Sequence, residues 1–121
     1  MAKMIGPDFI ALQVNDLEIS REFYTELLGL EPARQSPPGA VVFNTSPIPF
    51  AIRKPTIDLK ASSKLGWGTA LWFRVDDSDE LFQHLSEKGV KIVTPVQDGA
   101  FGRQFMFMDP DGYILTVHDK E

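Results

Sequence analysis

Few residues of this chain have side chains suited to chemistry, and their spacing argues against most of it. Asp109-Pro110-Asp111-Gly112 sets two carboxylates in a short polar run, as at the start of a metal loop. A calcium loop needs further oxygen ligands at fixed spacing and a closing Glu, whereas this run leads directly into the alternating stretch Tyr113 to His118. Its Pro and Gly sit where a tight turn wants them, so the aspartates are read as structural parts of a hairpin. Of the two histidines, His84 lies among core positions of a helical pattern and is read as a structural residue facing solvent; His118 ends a strand pattern. Asp76 and Asp77 precede Ser78-Asp79-Glu80-Leu81-Phe82 and are explained as strand-end and helix-capping residues. Glu18, Glu22 and Glu26 fall on the outer face of a predicted helix, a poor place for a general base. No Gly-x-Ser-x-Gly elbow or glycine-rich phosphate loop is present. The absence of cysteine removes disulfides, thiolate nucleophiles and Cys-ligated zinc.

The elements that must position the remaining candidates follow from periodicity. Ile10, Leu12 and Val14 alternate with Phe9, Ala11 and Gln13, predicting a strand with one face on a core. Leu17, Ser20, Phe23, Tyr24, Leu27 and Leu28 recur at helical spacing between Asn15 or Asp16 as cap and Gly29 as terminator. Three short strands are expected at 30–34, 40–44 and 49–53, separated by turn-rich segments. The same order then repeats: a strand at 70–77, a helix from Ser78 to Gly89, and strands at 90–93, 103–108 and 113–118. The offset is 61 between Asp16 and Asp77 and 60 between Gly29 and Gly89. The predicted organisation is α+β, with module one at 7–54, a linker at 55–67 and module two at 68–119. A four-stranded sheet covered by one helix leaves its other face open, so the two open faces are expected to curve around a cleft.

At 121 residues with 43% hydrophobic content, the chain suits one compact domain. No apolar run is long enough to span a bilayer and the N-terminus lacks a signal-peptide stretch, so a cytoplasmic protein with no membrane partner is expected. A formal charge of −5 opposes nucleic-acid binding and favours a cationic or neutral small ligand.

Three segments, Ala11 to Leu30, Leu71 to Asp77 and Phe101 to His118, carry a resemblance to the vicinal oxygen chelate superfamily: glyoxalase I, bleomycin resistance proteins, fosfomycin resistance enzymes and extradiol dioxygenases. The resemblance covers nearly the whole chain. It implies paired βαβββ modules forming a cupped sheet around the site (the glyoxalase/bleomycin resistance fold), and commonly a homodimer. It also implies, in metal-dependent members, a His or Gln at the start of each module's first strand and a Glu in each last strand. The matching residues here are Phe9, Ala70, Ala51 and Thr116, a poor ligand set. No metal and no cofactor are therefore expected, although Gln13 and His118 are the best candidates for a displaced site.

The expected cleft offers a surface for holding a compound. Phe9, Gln13, Trp72, Arg74, Gln104, Met106, Thr116 and His118 are the candidate ligand-binding residues, with Trp67 and Met108 nearby and Arg53 or Arg103 as possible gates. Aromatic walls with a few polar groups suit a planar or cationic molecule. The first reading is thus a metal-independent small-molecule-binding protein resembling the bleomycin resistance type, which sequesters a drug. The alternatives are a glyoxalase-type lyase or isomerase, or a resistance transferase, with displaced ligands, and a module whose pocket is filled by its own side chains.

Overall fold

The computed structural model describes residues 1–120, which divide into two compact units, Met1–Leu59 and Lys60 onward. The first unit contains β1 (Ile10–Gln13), α1 (Leu17–Glu22), β2 (Ala40–Phe43) and β3 (Phe50–Arg53). Its sheet has the order β1-β3-β2, with β1 parallel and β2 antiparallel to β3. Asp16 caps α1 by accepting a hydrogen bond from the Ile19 amide at 3.1 Å. The helix then widens into a π turn, Phe23–Leu27, in which the Leu28 amide reaches back to the Phe23 carbonyl at 3.2 Å. This turn carries two consecutive aromatic residues, and both are buried. Tyr24, fully buried, meets Phe50 at 5.3 Å and Phe43 at 6.0 Å between ring centroids, which makes an aromatic core between helix and sheet.

The expected strand at 30–34 is reduced to one isolated bridge, Pro32 to Phe43. Proline has no amide hydrogen, so the segment is held by its neighbours: the Ala33 amide donates to the Val42 carbonyl at 2.7 Å, and the Asn44 amide to that of Glu31 at 2.8 Å.

In the second unit, a short 3-10 turn, Leu59–Ala61, lies at the junction and is followed by β4 (Leu71–Arg74), α2 (Ser78–Glu87), β5 (Ile92–Gly99), β6 (Gly102–Met108) and β7 (Ile114–His118). The sheet order is β4-β7-β6-β5, with β4 parallel to β7 and the other pairs antiparallel. In each unit, then, the first strand lies parallel to the last, which is the topological form of the repeat seen in the sequence. Asp77 caps α2 through the Glu80 amide at 3.0 Å, and the buried Ser78 hydroxyl donates to the Arg103 carbonyl at 2.7 Å. Leu85 is fully buried, and Phe82 meets Phe105 edge-on at 5.3 Å.

The strand expected at 90–93 instead runs over Ile92–Gly99 and contains Pro95. It is an edge strand, where a missing donor is tolerated, and its register is irregular on both sides of Thr94. The Thr94 hydroxyl repairs the ladder by accepting from the Met106 amide at 2.9 Å.

The Asp109-Pro110-Asp111-Gly112 run joins β6 to β7. Asp109 is buried, and its Oδ1 accepts from the amides of Asp111 at 2.9 Å and Tyr113 at 3.0 Å. Gly112 closes the turn at φ +97°, a conformation that disfavours any side chain. The two hydrogen bonds share one acceptor oxygen and do not add fully, so Asp109→Ala is expected to cost about 2–4 kcal/mol in urea unfolding. Asp109→Asn, which keeps one acceptor oxygen, should cost less.

Candidate functional site

Alternation along β6 separates two faces of the second sheet. Phe105 and Phe107 are buried on the helix side, leaving Gln104 and Met106 half-buried on the other. Cross-strand register then places the sequence candidates in rows. Trp72 pairs with Thr116, Thr116 with Met106, and Met106 with Thr94, a row in which an indole and a thioether alternate with two threonines. One step along, Arg74 pairs with His118, His118 with Gln104, and Gln104 with Gln97, a row of polar side chains. Six candidates, Trp72, Arg74, Gln104, Met106, Thr116 and His118, therefore share one sheet face. Phe9 and Gln13 belong to the first unit. Phe9 lies just before β1 and is half exposed, and Gln13 Oε1 accepts from the Thr56 amide at 2.7 Å.

The structure adds a residue that the sequence reading passed over. Phe101, at the tip of the β5–β6 hairpin, meets Trp72 edge-on at 6.1 Å and His118 at 5.8 Å, and Trp72 lies 5.7 Å from His118. The three rings form one corner, yet Trp72 remains 46% exposed and Phe101 48%, which leaves aromatic surface for a further ring. The tip is held from β7's end: the Lys120 amide donates to the Phe101 carbonyl at 3.0 Å, and the Arg103 amide donates to Asp119 Oδ1 at 3.0 Å. His118 Nδ1 lies 2.8 Å from the Lys120 carbonyl, which can only accept, so Nδ1 carries the proton in this contact. Signals for Phe101 existed in Gly99-Ala100-Phe101-Gly102, where a large apolar side chain occupies a glycine-bounded turn.

The Gln104 side chain lies against Gly99. A Cβ built at residue 99 would collide with the Gln104 side-chain amide, so the glycine leaves room for that amide to lie across β5.

Of the two expected gates, Arg103 is placed elsewhere. Arg103 has the opposite parity to Gln104 on β6 and pairs with Asp79 in the first turn of α2 at 3.0 Å and with Asp98 at 3.3 Å. Arg53 is exposed, and its Nε donates to the adjacent Lys54 carbonyl at 3.2 Å. Trp67 is largely exposed, with the Lys64 ammonium 4.9 Å from its ring centre.

The hydrogen bond to Arg103 holds the Asp79 carboxyl below its ordinary value of 3.8. A depressed folded-state value means that any stabilisation from the pair is complete above 3.8 and is lost as pH falls through the lower, folded value. Asp79→Asn is therefore expected to be slightly less stable than the parent at neutral pH and equal to it in strong acid, as measured by urea unfolding at the two pH values. The effect should be small because both side chains are well exposed.

The positions where related enzymes carry metal ligands do not fit a divalent ion here. Phe9, Ala51 and Ala70 have no donor atom, Thr116 offers a neutral hydroxyl, and among the described residues no three His, Cys, Asp or Glu side chains converge as a ligand set. Among these residues, too, no helix is long and apolar enough to cross a membrane.

Comparison with known proteins agrees with this architecture. A phenazine antibiotic resistance protein, EhpR, from Enterobacter agglomerans is 28% identical over 121 residues, covering 93% of this chain and 91% of EhpR. The anthracycline biosynthesis protein DnrV from Streptomyces peucetius is 29% identical over 129 residues, covering 95% of this chain, which spans only 47% of DnrV. The crystal structure of a glyoxalase/bleomycin resistance protein from Streptomyces sp. CB03234 superposes with a TM-score of 0.71 at 25% identity, covering 94% of this chain and all of that one. Residues 6–117 match the model of the Glyoxalase/Bleomycin resistance protein/Dioxygenase superfamily, and the chain belongs to that family.

Proposed function

We propose that this protein binds a planar, fused-ring aromatic compound on the open face of the second sheet, without a metal ion, and protects by holding that compound. The observation that carries the reading is the corner of Trp72, Phe101 and His118, whose rings touch one another while two of them stay about half exposed. Such rings offer a flat ligand both stacking and edge contacts, and Met106 beside them adapts to an irregular outline. Both named relatives point the same way, since phenazines and anthracyclines are each fused planar ring systems. The alternative of a metal-dependent lyase or transferase has no donor set among the described residues to support it.

Titration with a phenazine and, separately, an anthracycline, followed by tryptophan emission and by thermal shift, tests the reading. Saturable quenching accompanied by a raised Tm is expected for at least one. No saturable change in either signal, for either compound, ends it. Phe101→Ala is expected to weaken that binding about three- to tenfold, the loss of one edge-on ring contact.

The working unit in this reading is a cytoplasmic homodimer, because β1 and β4 each have one edge unpaired within their own sheet. Light scattering should return twice the 13.6 kDa chain mass.

A further inference from the structure

We infer that the Thr116 hydroxyl donates a hydrogen bond to an acceptor atom in the ring plane of the ligand, a heterocyclic nitrogen or a quinone oxygen. This rests on the binding reading above and goes further by naming the class of ring system held. Among the described residues four polar side chains are buried, those of Ser20, Ser78, Asp109 and Thr116. Buried polar groups are ordinarily paired, and three of these are: Ser78 and Asp109 through the bonds given above, and Ser20 within the fold. Thr116 is the exception. It is 5% exposed, yet among the described residues its hydroxyl has no hydrogen-bond partner. Among the same residues no fully enclosed side-chain oxygen or nitrogen is left unpaired, so this oxygen opens to the surface.

The surroundings of the hydroxyl decide what meets it there. Leu115 and Val117, on either side of Thr116 in β7, pair with Phe107 and Phe105 and are buried on the helix side, so Thr116 belongs to the open face. Its cross-strand neighbours, Trp72 and Met106, are both longer, which sets the hydroxyl at the floor between an indole and a thioether. The fourth residue of the row, Thr94, has its hydroxyl committed to the Met106 amide. Strand side chains stand roughly perpendicular to their sheet. A ring stacked on the Trp72 indole therefore turns its rim to the floor, and the lone pairs of ring nitrogens and ring carbonyls lie in that rim. The β-branched side chain is stiff, so the hydroxyl is held in place before the ligand arrives. An arene that covers it with C–H groups alone strands a donor away from water, which costs affinity.

Phenazine-2-carboxylate and anthracene-2-carboxylate test the acceptor, because they share shape and charge and differ by ring nitrogens in place of C–H groups. Equilibrium dialysis read by absorbance gives both affinities at neutral pH. The phenazine is expected to bind about tenfold tighter. In Thr116→Val, which exchanges the hydroxyl for a methyl, that ratio should fall to within about twofold; in Thr116→Ser, which keeps the hydroxyl, most of it should remain. Thr116→Ala replaces the valine variant should that fail to fold. Equal binding by the parent, or tighter binding of the anthracene, overturns the inference and leaves the binding reading standing. A ratio that persists without the hydroxyl comes from stacking alone and overturns the role given to Thr116. No binding of either compound overturns both.

Discussion

Trp72→Ala is expected to weaken binding of a planar aromatic ligand by about ten- to a hundredfold, because stacking on one aromatic side chain contributes about 1–3 kcal/mol and each 1.4 kcal/mol is tenfold. The measurement is calorimetric titration with the compound that binds the parent, since the substitution removes one of the two tryptophans that report by emission. The same variant should cost about 0.5–1.5 kcal/mol in unfolding, the loss of its ring contacts with Phe101 and His118 and well short of a core truncation. That pairing matters because Trp72 is 46% exposed, so its indole ring is only partly used by the fold. A variant of unchanged affinity would move the site off this face; one that also unfolded easily would make Trp72 a structural residue.

Tyr24→Ala should have the largest effect on stability, about 3–5 kcal/mol, the range for removing a large aromatic from a core. Its ring is fully buried between Phe23, 5.4 Å away at its edge, and the sheet residues Phe43 and Phe50. Tyr24→Phe keeps the ring and should recover most of the loss. Urea unfolding of the three proteins measures both differences, and a loss below about 1 kcal/mol for the alanine variant would show that the first unit's core does not depend on this residue.

How much was legible in the sequence depended on whether a residue's role is local or set by its neighbours across the sheet. The cap Asp77, the glycines ending both helical segments and the Asp109 turn are decided within a few residues and are readable directly, and the first cap is narrowed to Asn15 or Asp16, of which the structure uses Asp16. The alternation of β4, β6 and β7 was equally plain, which is why Trp72, Gln104, Met106 and Thr116 could be assigned to one face before their register was known. Phe101 was not readable in this way. A turn residue has no alternation to assign it a face, and the contact with Trp72 depends on where the hairpin tip comes to rest. Arg103 differs for a related reason: beginning a strand suggests the mouth of a cleft, but its parity turns it to Asp79 of α2, with Asp98 of β5 beside it. The π turn was hidden because Phe23 and Tyr24 fit an ordinary helix pattern equally well, and the segment at 30–34 looked like a strand until Pro32 removed its donor.

The hairpin tip also has a meaning for how such a protein changes over generations. Its anchor is the Phe101 carbonyl, a group that every amino acid supplies, whereas its contact with Trp72 and His118 is the Phe101 ring. Position 101 can therefore exchange one side chain for another while the loop stays tied down. Selection by a new compound would find here a place to alter fit with little risk to the fold, and drift at this residue is where descendants of one such protein should first diverge in the molecules they tolerate.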